Sequence, residues 1–317
     1  MHLRNVEIFC DVATRRSFSK AAEAHNVSQS SASQAVHLLE KQLETRLIDR
    51  SKRPLELTPA GRVYFEGCRE LLEGFREIED RLQGMRNKVA GRVRVAAIYS
   101  VGLLQMDAYT NLYAELFPDV ELQLAYLHPD EVYSRILNDE ADLGLVSFPR
   151  EGGETNSIPW QEQEMVLVVP AGHRLAHRGS VAVSELNGEN YVAFTSELTI
   201  RKQVDRWLRR AKVNVKIVHE FDNIENIKRA VEIGSGVAVL PIPTVRRETE
   251  FGSLVAVEFE DVTWYRPLGI VHKRNKTFST AASKFVELLH EDPDSMRRFD
   301  NRSVGDAGFQ VTASGKR

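Results

Sequence analysis

At 317 residues the chain is too long for one ordinary domain, and its net charge of -3 is not that of a wholesale polybasic nucleic-acid binder. A hydrophobic content of 42% with 27% charged residues is that of a folded protein with a sizeable core. Cys10 and Cys68 allow at most one disulfide, no stretch is long and apolar enough for a membrane span, and MHLRNVEIFCDV has no secretory pattern. A reducing, cytoplasmic setting without a membrane partner is expected.

The charge is not evenly spread. Residues 1–60 hold nine Lys/Arg against seven Asp/Glu, opposite in sign to the whole chain. Within this segment Val6, Phe9, Cys10, Val12 and Ala13 recur at helical spacing. Ser19 is positioned to cap a second helix, Lys20 to Ala24. After a turn at 25–27, Ser28 caps a third helix reaching Glu44, with Ala32, Val36, Leu39 and Leu43 inward. Residues 46–57 alternate around Pro54 and predict a short two-stranded wing.

Thr58-Pro59 opens a long helix, hydroxyl cap first and Pro at the first helical position. Its apolar residues Tyr64, Cys68, Leu71, Phe75, Ile78, Leu82, Met85 and Val89 are separated alternately by four and three. That heptad seam predicts pairing with a second helix, with Tyr64, Cys68, Leu71, Phe75, Ile78, Leu82 and Met85 as the dimerisation residues. From Arg92 the period changes to alternating strands and helices, which implies a mostly parallel sheet. Strands are expected at Val93 to Ala97, Val120 to Tyr126 and Leu143 to Phe148, with helices at Leu103 to Phe117 and Pro129 to Asn138. A polar gap, Arg150 to Gln163, precedes a second series ending with a strand at Val237 to Leu240, and Ala281 to Glu291 is a final helix. Residues 292–317 lack periodicity and are expected to be disordered.

The third helix carries the chemistry of a DNA reader. Gln29, Ser30, Ser31, Ser33, Gln34 and His37 face away from its inward stripe. Small hydroxyl residues let a helix sit deep in a major groove, and Gln pairs with an adenine edge through both amide groups. The helix has one basic residue, Lys41, so phosphate contacts fall to Arg4, Lys20 and the wing residues Arg50, Lys52 and Arg53.

The spaced pieces Phe18-Ser19-Lys20-Ala21-Ala22, Val27-Ser28-Gln29-Ser30, Leu38 to Leu43, Leu47 to Arg50 and Leu57-Thr58-Pro59-Ala60-Gly61 resemble LysR-type transcriptional regulators. The resemblance continues through Ala141-Asp142-Leu143, Val168 to Ala176 and Gly234 to Pro241. It implies an N-terminal all-α winged helix-turn-helix (1–58), a linker dimerisation helix (59–90) and a two-lobed, periplasmic-binding-protein-like α/β effector domain. Effector lobe I would take 91–161 and 268–291, and lobe II 162–267. The implied partners are double-stranded DNA, a small co-inducer, a homodimer assembling to a homotetramer, and RNA polymerase. The sequence departs from the family at Ser30, usually Pro, and at Thr45, usually a Gly that ends the helix.

Carried over by position, the cleft between the lobes is lined by Ser100, His128, Ser147, Thr195, Ser196 and Ile224. Hydroxyls and free N–H groups at helix starts there suit a small anion, with Arg201 adding charge. No cofactor or metal is expected: His173 and His177 lack a helix signal and an acidic third ligand, and Gly234-Ser235-Gly236 is followed by no phosphate-loop Lys. The rival reading is a cytoplasmic two-lobed small-molecule-binding protein or enzyme whose DNA binding is secondary. A catalytic motif is missing and the helical N-terminal module is superfluous to either, so a regulator without enzymatic activity is expected.

Overall fold

The computed structural model describes residues 2–84, 89–150 and 152–291. Met85, in the expected seam, and the expected disordered tail 292–317 lie outside the described residues. The chain forms two compact units, Met1–Lys88 and Val89–Arg317.

In the first unit α1 (Leu3–Arg15), α2 (Phe18–Ala24) and α3 (Gln29–Gln42) precede a hairpin of β1 (Ile48–Asp49) and β2 (Glu56–Leu57), then α4 (Pro59–Gly84). Val6, Phe9, Val12, Ala21, Ala32, Val36, Leu39 and Leu47 form its buried core. Helix α2 starts earlier than expected: Ser17, not Ser19, is the cap, its Oγ accepting from the Lys20 N–H, and Phe18 packs against the core. Leu43, expected inward, is the C-cap of α3 and is exposed. The left-handed residue that ends α3 is Glu44 (φ 52°) rather than Thr45. The Thr45 N–H donates to the Glu40 carbonyl at 3.1 Å and the Glu44 N–H to Lys41 at 3.4 Å, the paired closure of a Schellman turn.

Thr58 caps α4, its Oγ1 accepting from the Gly61 N–H at 2.9 Å while donating to the Arg46 carbonyl at 2.7 Å. One hydroxyl therefore starts the helix and anchors the base of the wing. Gly61 is required by close approach, because a Cβ there would lie 1.9 Å from the Leu47 carbonyl oxygen.

The expected seam on α4 splits in two. Cys68 joins Leu72 in the buried core of its own domain, and the Tyr64 ring lies 5.4 Å from that of Phe9. The first turns of the helix have to cover the three-helix core, which corrects the assignment of Cys68 and Tyr64 to a partner-facing strip. Leu71, Phe75, Ile78 and Leu82 are 43–58% exposed and continue the strip alone. Val89 lies beyond the helix and packs against the core described next.

In the second unit β3 (Gly91–Ile98), α5 (Tyr99–Leu116), β4 (Val120–Leu127), α6 (Pro129–Leu137) and β5 (Leu143–Ser147) make a parallel arrangement with order β4-β3-β5. Then come β6 (Thr155–Pro170), β7 (Ser180–Val181), β8 (Asn190–Phe194), α7 (Thr199–Arg210), β9 (Lys216–Phe221), α8 (Ile224–Glu232) and β10 (Ala238–Pro241). The chain closes with α9 (Arg246–Phe251), β11 (Leu254–Phe259), β12 (Trp264–Lys273) and α10 (Thr280–His290).

The polar gap expected at Arg150 to Gln163 is largely strand. β6 runs 16 residues and pairs antiparallel with β12 from Thr155↔Lys273 to Met165↔Trp264. Its first half is half-exposed and polar, which hid its period. Because β12 is also antiparallel to β5, and β10 and β11 to β6, the sheet is mixed rather than mostly parallel.

Two apolar cores flank this strand pair. One gathers β3, β5, the end of β12 and α10, with Val95, Leu145, Ile270 and Phe285 fully buried. The other gathers the second half of β6 with β8, β10, β11, α7 and α8, including Leu167, Val192, Leu240 and Ile227. β6 carries the chain from the first lobe to the second and β12 brings it back.

Candidate functional site

On α3 the Ser28 Oγ accepts from the Ser31 N–H at 3.1 Å and lies 2.8 Å from the hydroxyls of both Ser30 and Ser31. Gln29, Ser30, Ser31, Gln34 and His37 are exposed on one face, and Ser33 is half-buried. The Gln29 Oε1 accepts from Ser19 at 3.1 Å, which orients that amide from α2.

The wing is held against this helix by Glu40, whose role depends on wing contacts seven to ten residues away. Its Oε1 accepts from the N–H groups of Leu47 (2.9 Å) and Ile48 (3.2 Å), and its Oε2 from Arg50 Nη2 at 3.1 Å. Arg50 also donates to Ser33 Oγ at 3.3 Å and sits over the Phe18 ring. Arg50, expected on phosphate, therefore joins wing to helix. Lys52 pairs with Glu56 at 2.7 Å. Arg4, Lys20 and Arg53 are exposed and make no ion pair among the described residues.

In the second unit a cleft of about 50 Å³ opens between the two apolar cores. Ser100, His128, Ser147 and Ile224, four of the expected residues, line it together. Each stands where a strand gives way to a helix or loop, so four chain reversals converge on one place. Thr195 and Ser196 do not line it. Past β8 the chain turns, with the Thr195 N–H donating to the Phe221 carbonyl and its own carbonyl accepting from Leu198, and the walls here are Phe194, Leu198 and Ile200.

Arg201 does not supply the charge. Its guanidinium is buried and does not line the cleft, bonded to Asp205 at 2.9 Å and also to Glu220 and the Phe194 carbonyl. The cation in the cleft is Arg266 of β12, 1% exposed. Its Nη2 donates to Ser100 Oγ at 2.8 Å, while Nε and Nη1 have no partner. Burial pushes this guanidinium well below its ordinary range, to about 9, so it remains charged at neutral pH. Directly opposite on β6 lies Gln163, 3% exposed, with both amide atoms unpartnered. A lone Arg within the apolar run Trp264 to Val271, which forms most of β12, is the sequence signal for this site.

The helices around the cleft differ in how they start. α6 is capped by the His128 ring and α8 by the Asn223 side chain. α5 and α7 follow Ile98 and Leu198, which offer no side-chain cap. Among the described residues no cluster of His, Cys, Asp or Glu could hold a metal, and no helix is long and apolar enough to cross a membrane.

Residues 3–62 match the family described as "Bacterial regulatory helix-turn-helix protein, lysR family", and 86–294 match "LysR substrate binding domain". A probable RuBisCO transcriptional regulator of Cyanophora paradoxa is 30% identical over 293 residues, covering 90% of each chain. The HTH-type transcriptional regulator CysL of Bacillus subtilis is 24% identical, covering 93% of this chain and 99% of its own. Among solved structures, a full-length OxyR variant from Pseudomonas aeruginosa superposes with TM-score 0.72 at 24% identity, over 94% of this chain and 95% of that one. The CcmR regulatory domain of Synechocystis, in complex with 2-PG, gives TM-score 0.58 at 24% identity, over 63% of this chain and 96% of that one. The chain belongs to the LysR family and is a ligand-responsive, DNA-binding transcriptional regulator.

Proposed function

We propose that the co-inducer is a small anion held in the cleft between the lobes, and that the protein works in the cytoplasm as a regulator without enzymatic activity. The observation that carries this reading is the buried, half-satisfied Arg266 in a cleft shared with Ser100, His128, Ser147 and Ile224. A small molecule, 2-PG, in the regulatory domain of one structural neighbour supports a ligand of modest size.

In this reading residues 1–58 bind DNA, 59–90 pair two protomers, 91–161 with 268–291 form one effector lobe and 162–267 the other. The base-reading residues are Gln29, Ser30, Ser31, Ser33, Gln34 and His37. Arg4, Lys20, Lys52 and Arg53 meet phosphate, with Arg50 holding the wing in place. Leu71, Phe75, Ile78 and Leu82 are the pairing strip, and dimers assemble to tetramers that engage RNA polymerase. Two recognition helices one helical turn apart fit an imperfect palindrome.

The test is a gel shift with an operator and with random duplex of equal length. Replacing Gln34 by Ala is expected to lower operator affinity about 10- to 100-fold, the range of one bidentate base contact, with little change on random duplex. Equal loss on both duplexes would refute the base-reading assignment.

A further inference from the structure

We propose that Ser19 and Arg50 set the base preference of the recognition helix without touching a base. By occupying the acceptor atoms of Gln29 and Ser33 from behind, they leave these two side chains facing the groove as hydrogen-bond donors, and the base so read is a guanine. The proposal rests on the reading of Gln29 and Ser33 as base-reading residues and deepens it.

Gln29 and Ser33 stand four apart on α3, so they are neighbours on one row of the helix surface, about 5–6 Å apart between Cβ atoms. Each is held by a different element. The Ser19 hydroxyl, on α2, donates to Gln29 Oε1 at 3.1 Å, and Arg50 Nη1, from the wing, donates to Ser33 Oγ at 3.3 Å. Arg50 is itself fixed by Glu40 Oε2 at 3.1 Å and by the Phe18 ring beneath it. What remains to face outward is Gln29 Nε2, with its N–H groups, and the hydroxyl hydrogen of Ser33. Ser30 and Ser31 are engaged differently: their hydroxyls gather on Ser28 Oγ at the helix cap, each at 2.8 Å.

The major-groove edges differ in what they offer two adjacent donors. Guanine presents two acceptors, N7 and O6. Adenine sets one acceptor beside a donor, thymine one acceptor beside a methyl group, and cytosine a donor. Guanine is the match. An unrestrained Gln reads adenine, its oxygen accepting from N6 while its nitrogen donates to N7. Here Oε1 is turned toward α2, so the N6 donor of adenine would meet another donor. Ser19 also orders a long, flexible side chain before DNA arrives, which removes part of the ordering cost of binding.

The test begins with in vitro selection of duplex by the full-length protein. The base pair read by Gln29 is the one whose preference Gln29→Ala removes. Guanine is expected there, with replacement by adenine lowering affinity about 10- to 100-fold. The analogue 7-deazaguanine should act in the same direction, while inosine, which keeps O6 and N7, leaves affinity unchanged. Arg50 also holds the wing, so Ser19 is the informative variant. Ser19→Ala is expected to cut the guanine-over-adenine ratio about 3- to 10-fold, the worth of one hydrogen bond, with melting temperature and random-duplex affinity unchanged. Ser19→Thr, which keeps the hydroxyl, should retain the ratio. In a double-mutant cycle the Ser19→Ala effect vanishes once Gln29 is Ala; an effect that persists means that Ser19 meets DNA itself and overturns the positioning role. Adenine or cytosine at the selected position, or an unchanged ratio in Ser19→Ala, also overturns the proposal. Gln29→Ala separates this from failure of the wider reading. Equal loss on operator and random duplex sinks the base-reading assignment, whereas loss on operator alone without a guanine preference sinks only the donor arrangement.

Discussion

Replacing Arg266 by Met should make the ligand-free effector unit more stable, although it removes a hydrogen bond. The guanidinium is 1% exposed and burial lowers its ionisation well below the ordinary guanidinium range, to about 9. At 1.36 kcal/mol per unit, that is a desolvation cost of about 5 kcal/mol. The bond it donates to Ser100 is one made by a charged group, about 2 kcal/mol. Met keeps most of the apolar stem without the charge, so the net gain is about 3 kcal/mol, or roughly 6–12 °C for a unit of this size. Trp160, Trp207 and Trp264 are the chain's three tryptophans and all belong to this unit, so their fluorescence follows its unfolding selectively in urea or on heating. The sign of the pH dependence follows from the lowered value. Above about 9 the folded protein sheds the proton and the penalty is relieved; below it both states are protonated and the penalty is constant. The gain should therefore be the same at pH 6 and pH 8. An Arg266→Met protein no more stable than the parent would refute the view that this charge is stored uncompensated.

Three further predictions concern the first unit. Glu40→Ala leaves the Leu47 and Ile48 N–H groups and Arg50 without their acceptor. It should cost about 2–4 kcal/mol by far-ultraviolet circular dichroism melts and weaken binding to operator and random duplex alike. Gly61→Ala forces a Cβ to 1.9 Å from the Leu47 carbonyl and should destabilise the domain by several kcal/mol. Gly67→Ala, on the same helix with no atom within 4 Å, should stabilise it by about 1 kcal/mol. Leu71→Asp with Ile78→Asp should drive the protein to monomer in light scattering without lowering the melting temperature of the helical core, whereas Leu72→Ala, 5% exposed, should lower that melting temperature by the effect of a 2–5 kcal/mol loss.

Much of this was legible because it is local. The stripe Ala32, Val36 and Leu39 sets the phase of α3 and hence which residues face outward, and Thr58-Pro59 marks a helix start that the structure keeps. What escaped was set by distant contacts. Cys68 and Leu71 look alike along a heptad, and only the three-helix core beneath α4 decides that one is inside and the other outside. Arg201, in the first turn of α7, and Arg266, on β12, are both basic residues with an apolar or aromatic neighbour before them in sequence. The first meets Asp205 one helical turn away and Glu220 across the sheet, while the second meets one hydroxyl 166 residues distant. Thr195 and Ser196 failed for a geometric reason: a turn of three residues rotates their side chains off the wall that Phe194 and Leu198 make.

The β6–β12 ribbon limits what a bound ligand could do to the two lobes. A ladder of ten paired residues cannot slide by one position without turning every side chain to the wrong face, so the lobes are not free to shear. The soft coordinate left is twist in the stretch Trp264–Pro267, where β12 pairs with β6 but not with β5, and the register shift at Leu268/Gly269 puts a local irregularity at its edge, two to three residues from Arg266. A charge neutralised at Arg266 would act on a torsion spring close to its axis, where a small rotation is magnified at the far ends of both lobes while the distance between their centres hardly changes.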